Sequence, residues 1–374
     1  MKNQVAVIGG GFSGLVNAFL IGETDLFEEH ISVGYPSHCT GLVSLRFVKL
    51  LGSIAEENIL NEYRSIIVKD LSNRDLFILK VGKIYRLDRE KLEKDLLKEA
   101  IDKGSRTYLH RKIIDLEYNG KKVCLKIREK NIFEFKCYDE NAPLILADGV
   151  LGELSREFIK RDRKDLIVGS QVIAHIDPGQ IDLENILVFV NNDLFPNFFG
   201  WFVPLSPREA IIGGGFTLNT RTSVYLKYFL HRLRKIGLLK DLEIKRIYGG
   251  LITRSLSIHH VFRNIIITGD AAGLTKAFSG GGLFPSLYQA IAIKESFKKY
   301  SDIIQFKSRY MRYMKKLLKE LSTQKFLTDK IINLGIENFA KIISHITDSI
   351  YIDYDYHANI FKSKIEISKI FSKQ

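Results

Sequence analysis

Cysteine is scarce in this chain: 374 residues hold three, Cys39, Cys124 and Cys137, with no Cys-x-x-Cys pair. An odd number cannot pair completely within one chain, which suits a reducing cytoplasm. The adjacent His259 and His260 lack acidic or cysteine partners at metal-ligand spacing, so no metal is expected. There is no uninterrupted apolar run of about 20 residues, the length that crosses a bilayer. Met1-Lys2-Asn3-Gln4 leads directly into an apolar run, leaving no place for a signal peptide. Acidic residues are outnumbered, 43 against 56 basic ones, for a net charge of +13. No zinc spacing or RNA-recognition signature accompanies that excess, so nucleic acid is not an expected partner. Solvated lysine-rich faces, or peripheral contact with an anionic membrane, account for it better. Internal repeats and low-complexity tracts are also missing.

Against these absences stands a glycine fingerprint. Gln4-Val5-Ala6-Val7-Ile8 reads as a strand, Gly9-Gly10-Gly11-Phe12-Ser13-Gly14 satisfies G-x-G-x-x-G, and Leu15 to Ile21 continues as an apolar helix. The glycines differ in purpose. Gly9 permits the tight turn, Gly11 lets a pyrophosphate approach the backbone, and Gly14 allows the helix to pack on the strand. Asp25-Leu26-Phe27 then forms a short strand ending at Glu28, where an acid binds adenosine ribose hydroxyls.

Two further strand ends carry acids. Pro143-Leu144-Ile145-Leu146 runs into Ala147-Asp148-Gly149, and Ile265-Ile266-Ile267-Thr268 runs into Gly269-Asp270-Ala271-Ala272-Gly273. A carboxylate at Asp270 can accept hydrogen bonds from ribitol or ribose hydroxyls. Gly280-Gly281-Gly282 precedes a helical stretch from Leu283, whose free N–H groups can face a flavin ring edge or a phosphate.

In this order the three motifs resemble the signature set of the flavoproteins related to para-hydroxybenzoate hydroxylase. Within that group the chain is similar to the geranylgeranyl reductases, which saturate isoprenoid chains. Gly34-Tyr35-Pro36-Ser37-His38-Cys39-Thr40-Gly41 resembles the family's P-x-x-C-x-x-G loop, with the last glycine one place early. Tyr85 to Leu92, containing Arg89, is similar to the start of the helix that closes over the cofactor. Pro196-Asn197-Phe198-Phe199-Gly200-Trp201-Phe202-Val203-Pro204 resembles the substrate-cavity signature P-x-x-Y-x-W-x-F-P, with Phe199 in place of tyrosine and Val203 in place of phenylalanine.

The resemblance runs from residue 4 to about residue 300 and implies an α/β fold. A discontinuous Rossmann-type FAD-binding domain is expected over 1–61, 84–160 and 259–300. A mostly antiparallel substrate sheet is expected over 62–83 and 161–258, with a C-terminal helical region over 301–374. FAD would be held by Gly9, Gly11, Phe12, Ser13, Gly14, Glu28, Cys39, Gly41, Arg89, Asp148, Gly269, Asp270, Gly280, Gly281 and Gly282. The substrate would be walled by Phe199, Trp201, Phe202 and Pro204.

Local patterns add detail. Arg46 to Ile59 reads as helical; Ser65 to Val68 and Leu76 to Val81 read as a hairpin; Lys91 to Lys103 reads as a helix with Asp88 at its cap. Strands are expected at Val123 to Arg128 and Ile132 to Tyr138, then at five positions between Leu166 and Ile252, with one helix at Ser223 to Ile236. Phe306 to Leu321 forms an amphipathic helix whose apolar stripe either packs on the domain or rests on anionic lipid. Ile331 to Ile350 reads as one more helix able to cap a lipid tunnel, and Asp353 to His357 carries no signal.

The resemblance implies reduction of an isolated alkene by hydride from reduced flavin N5 plus a proton. His38 and Cys39 are the candidate proton donors, with a surface loop side chain and a small wall residue as their respective ordinary readings. Expected partners are an isoprenoid or prenylated lipid and an electron donor, either NAD(P)H or a small carrier protein. An FAD-dependent monooxygenase of the aromatic-hydroxylase type shares the same nucleotide motifs and is the rival reading. A non-enzymatic flavin- or lipid-binding protein is a third.

Overall fold

The computed structural model describes residues 5–35, 38–140, 142–176, 182–239, 242–298 and 303–358. Val5–Ile8, Leu144–Leu146 and Ile265–Ile267 are fully buried, as short apolar runs in a parallel sheet must be. They pair in parallel with Ile8, Leu146 and Ile267 in one register, so their following residues emerge side by side along one edge. Thr24–Phe27 and Arg106–Tyr108 extend the sheet on one side, and Val261–Phe262 closes the other in antiparallel sense. Helices Phe12–Ile21, Arg89–Asp102 and Leu283–Phe297 pack around it. The Asp88 carboxylate accepts from the Lys91 N–H and caps the second of these, as its sequence position anticipates.

A second sheet of nine strands lies across that edge. Its order is Leu242–Thr253, Leu166–Ile176, Glu209–Thr217, Gly200–Ser206, Asn185–Phe189, Ile59–Lys69, Asp75–Leu87 and Ser349–Tyr351, with Leu42–Ser44 also pairing on Asp75–Leu87. Most of its pairings are antiparallel, whereas Asn185–Phe189 on Ile59–Lys69 and Ser349–Tyr351 on Asp75–Leu87 are parallel. One face buries Val172, Phe189, Phe202 and Ile212 against helix Thr222–Lys235. The other face looks back toward the first sheet.

Several sequence expectations are corrected. The helix expected over Arg46 to Ile59 is two short ones, Leu45–Leu51 and Ser53–Glu56, broken at Gly52 with φ of 72°, and Ile59 opens a strand. The helix expected over Ile331 to Ile350 breaks at Gly335, φ 86°, into Ile336–Ser344 and the strand Ser349–Tyr351. The pair expected at 123–138 is a three-stranded meander, because Lys112–Asn119 joins Lys122–Glu129 and Ile132–Asp139. Cys124 and Cys137 stand opposite each other there and form a disulfide, leaving Cys39 free. Cysteine scarcity alone therefore does not carry the expectation of a reducing compartment.

The amphipathic segment is part of a longer helix, Ile303–Leu334. Its stripe of Phe306, Tyr310, Met314, Leu317 and Leu321 is buried in the main core beside Leu283–Phe297, so packing claims the stripe. Among the described residues no helix is long and apolar enough to cross a membrane.

This long helix also props the Gly269 turn through a buried polar chain. The Gln289 side chain accepts from the Gly269 N–H (3.0 Å) and donates to Ile267 O (2.9 Å) and to the Tyr310 hydroxyl (2.8 Å). Tyr310 in turn donates to His260 Nδ1 at 2.8 Å, while His260 Nε2 donates to Ser257 O at 2.7 Å. That arrangement needs a neutral imidazole, and burial pushes His260 from 6.5 down to about 4. Between these values the unfolded chain binds a proton that the folded one refuses, so stability falls as pH falls and levels out below about 4. Thermal unfolding from pH 7 to pH 4 should show a loss on the order of 3 kcal/mol from this group. His260→Gln should reduce that slope, leaving the part that buried His357 contributes; an unchanged slope would assign the proton uptake elsewhere.

Candidate functional site

The aligned strand ends, the second sheet and the C-terminal segment enclose one cavity of about 890 Å³. At one end it is lined by the backbone of Gly9 to Ser13 and by Glu28. Gly9 and Gly14 are glycines for packing reasons: a Cβ on Gly9 would lie 2.3 Å from Ala147 O, and one on Gly14 only 1.8 Å from Gly9 O. Gly11 differs, because a Cβ there would meet nothing within 4 Å. Its open side faces the cavity, the space a pyrophosphate would need. The Glu28 carboxylate accepts from the N–H groups of Gly10 and His30 at the end of its strand.

The middle of the cavity gathers Asp148, Arg89 and Asp270. Asp148 Oδ2 accepts from the Leu154 and Ser155 N–H groups at 3.1 and 2.9 Å, while its Oδ1 is buried without a partner. Arg89 pairs with Glu93 but its Nε is likewise an unpaired buried donor. Burial works against the Arg89 guanidinium, yet Glu93 and Cys39 beside it hold its pKa above the ordinary arginine value. Asp270 is exposed into the cavity although it lies deep in the molecule. Burial raises its pKa, and Arg89 and Arg161 pull it partly back. Gly280, Gly281 and Gly282 line the next stretch, ahead of helix Leu283–Phe297. One free acceptor, one free donor, a carboxylate at each strand end and an open glycine face fit the hydroxyls and phosphates of a dinucleotide.

Beyond the glycines the walls turn apolar. Ile66 and Val68, Phe77 and Leu79, Ile186 and Val188, and Trp201 and Val203 enter from four adjacent strands at the two-residue spacing of one sheet face. Ile331, Ile336, Phe339 and Ile350 close this end from the C-terminal region. Phe199 also lines it, its ring 4.3 Å from that of Phe198. Trp201 Nε1 donates to Gln171 Oε1 (2.9 Å), and Gln171 Nε2 donates to His38 O (3.2 Å), tying the sheet to the loop that carries His38 and Cys39. That loop docks where Gly250 leaves room, since a Cβ there would lie 3.1 Å from His38 Cβ. His38 and Cys39 line the cavity; Pro36 and Ser37 of the same motif lie outside the described residues.

Five anticipated residues are placed elsewhere. Phe202 and Pro204 alternate with Trp201 and Val203: Phe202 points into the core under helix Thr222–Lys235, and Pro204 O accepts from the Tyr63 hydroxyl at 2.6 Å. Gly14, Gly41 and Gly269 shape the turns without lining the cavity, with a Cβ on Gly41 falling 2.5 Å from Leu87 O and one on Gly269 falling 2.6 Å from Ser13 Cβ. Conversely, Lys276, inside the Gly269 to Gly282 stretch but given no role there, lines it together with Tyr354, Asp355 and His357, to which no motif in the sequence points. Burial, with Lys276 nearby, pushes His357 down to about 3.

The strand-end glycines and carboxylates on this sheet order define the fold of the FAD-dependent oxidoreductases and monooxygenases. No family model matches the chain. Among curated relatives, the digeranylgeranylglycerophospholipid reductase of Thermoplasma acidophilum is 23% identical over 374 residues, covering 93% of this chain and 92% of the relative. A geranylgeranyl bacteriochlorophyll reductase-like protein from Thermoplasma acidophilum superimposes with a TM-score of 0.83 at 20% identity, over 99% of this chain and 97% of that one. The p-nitrophenol 4-monooxygenase of Pseudomonas putida follows the same fold with a TM-score of 0.73 at 12% identity, over 99% and 98%. The resemblance seen in the motifs thus recurs over nearly the whole chain.

The two glycines separate binding from folding. Gly11→Val should fold and melt like the wild type yet lose flavin affinity by about tenfold or more, read as flavin absorbance per protein. Gly14→Val should instead destabilise the fold by about 3 kcal/mol or prevent it. An intact yellow Gly11→Val protein would refute the assignment.

Proposed function

We propose that this chain is an FAD-dependent reductase that saturates double bonds of an isoprenoid chain, carried on a lipid, a diphosphate or a polyprenyl quinone. The observation that carries this reading is the union of two unlike ends in one cavity: a glycine- and carboxylate-lined end suited to a dinucleotide, and an apolar end suited to hydrocarbon. The names of the relatives support it.

Gly9 to Ser13, Glu28, Arg89, Asp148 and Asp270 would hold FAD, which once reduced would supply hydride chemistry. The chain's own residues set the stage. Aliphatic walls align the substrate and exclude water. Phe199 and Trp201 turn aromatic faces toward the carbon that gains positive charge as its neighbour is protonated. Gln171 fixes the Trp201 ring by accepting its N–H. His38 and Cys39, which line the cavity on the loop tied to Gln171, are the candidates to deliver or relay the proton. One dinucleotide fingerprint accounts for FAD alone, so the electrons come from transiently bound NAD(P)H or from a small carrier protein. Contact with an anionic membrane, where a prenylated lipid would be met, falls to the basic outer face of Ile303–Leu334, since its apolar stripe is taken.

The test is anaerobic. Dithionite-reduced protein mixed with a geranylgeranyl compound should reoxidise its flavin and yield products heavier in steps of two hydrogens. Oxygen-dependent NAD(P)H consumption with a phenol, and no such products, would instead establish the monooxygenase reading. Trp201→Ala should keep its flavin and lose about tenfold in alkene turnover, the effect of about 1–2 kcal/mol of cation–π stabilisation.

A further inference from the structure

The strap from Ser349 to Ala358 brings Tyr354, Asp355 and His357 to the cavity wall beside the turn from Gly269 to Gly282. Lys276 stands on that turn and is only 3% exposed. Its Nζ donates to Tyr354 O at 2.8 Å, lies 3.6 Å from Asp355 Oδ1, and sits 4.1 Å from the centre of the Tyr354 ring. An ammonium has three N–H donors, and the bond to Tyr354 uses one. Asp355, at 3.6 Å, is an ion-pair partner beyond hydrogen-bond reach.

Asp355 is itself held on its other oxygen, by the Ser44 hydroxyl at 2.5 Å and by Arg46 at 3.3 Å, and Arg46 is doubly engaged by Asp353. Lys276 is therefore the inward end of a four-charge cluster: Asp355 Oδ1 faces its ammonium and is buried without a hydrogen-bond partner, while Asp355 Oδ2, Arg46 and Asp353 hold one another. Its position relative to the glycine stretch is equally fixed. The Lys276 N–H donates to Gly281 O (3.1 Å) and the Gly280 N–H to Lys276 O (2.8 Å), while Lys276 Cε lies 2.7 Å from where a Gly281 Cβ would stand. The lysine stem thus runs under the glycines that line the cavity where it changes from polar to apolar. Burial lowers the Lys276 pKa and Asp355 raises it, so an anionic occupant of the cavity would further favour the ammonium.

We infer that Lys276 supplies the positive charge that favours the reduced, anionic form of the flavin ring lying along Gly280 to Gly282, with Asp355 positioning the ammonium and tempering its charge. This rests on the FAD reading above. In the step concerned the ring gains two electrons and one proton and ends with a single negative charge; the electrons come from NAD(P)H or a reduced carrier protein, and in the experiment from dithionite. A cation held in a site shielded from water acts on that charge far more strongly than it would in solvent.

The experiment is the two-electron midpoint potential of the flavin bound to the full chain, measured against reference dyes, in the wild type and in Lys276→Met, Lys276→Gln and Lys276→Arg. Lys276→Met should shift the equilibrium against the reduced form by about tenfold or more, lowering the potential by about 30 mV or more. Lys276→Arg, which keeps the charge, should stay near the wild type. Lys276→Gln, uncharged but able to hydrogen-bond, should shift the potential as Lys276→Met does; a merely structural role would not separate the uncharged substitutions from the charged one. A flavin-loaded Lys276→Met with unmoved potential, or a Lys276→Arg that shifts as far as Lys276→Met, would overturn the inference and leave the FAD reading standing. A wild-type chain that takes up no FAD would overturn both. Should Lys276→Met fail to fold, the comparison of Lys276→Gln with Lys276→Arg decides the matter.

Discussion

The in-register parallel pairing of Val5–Ile8, Leu144–Leu146 and Ile265–Ile267 is the constraint on which the rest depends. Parallel strands must all end at the same edge, so motifs separated by more than a hundred residues of chain are delivered to one line: Gly9 to Gly14, Asp148 and Asp270. The backbone at that edge has no further strand to pair with, and its polar groups turn to ligands and to helix starts instead. Close packing protects the arrangement. Gly14 against Gly9, Gly269 against Ser13, and the buried chain Gln289–Tyr310–His260 allow no slack in the turns.

The second sheet solves a different problem. It needs one face for its own core and offers the other to the cavity, and strand alternation assigns side chains to faces without regard to motif boundaries. Trp201 and Val203 fall on the cavity side, Phe202 and Pro204 on the other. The three glycines Gly213, Gly214 and Gly215 on the neighbouring strand make room for the Trp201, Phe195 and Phe198 rings, which approach to where their Cβ atoms would be. An aromatic wall is thus built by small residues as much as by large ones.

Where the sequence is informative, the signal is local. A strand, a glycine turn and a helix in immediate succession leave few alternatives, and the three nucleotide motifs are legible for that reason. The hairpin around Asn73 and the cap at Asp88 are local too, and both are present. Where it misleads, two or three residues override a longer pattern: Gly52 and Gly335 each break an apolar stretch that otherwise has helical spacing. The strap from Ser349 to Ala358 leaves no trace because its strand gains meaning only from the edge of Asp75–Leu87, and its charges only from Lys276 and Arg46.

The amino-acid sequence by itself determined the nucleotide fold, the strand-end carboxylates and the resemblance that links them to flavin chemistry, since each rests on residues adjacent in the chain. Tertiary structure alone decided which aromatic residues face the cavity, that the C-terminal region closes its apolar end, and that Lys276 meets Asp355 beneath the glycines. The physical reason is range. Turn geometry and strand propensity act over a few residues, whereas the sheet face a side chain occupies and the charge a buried lysine meets are set by segments that only folding brings together.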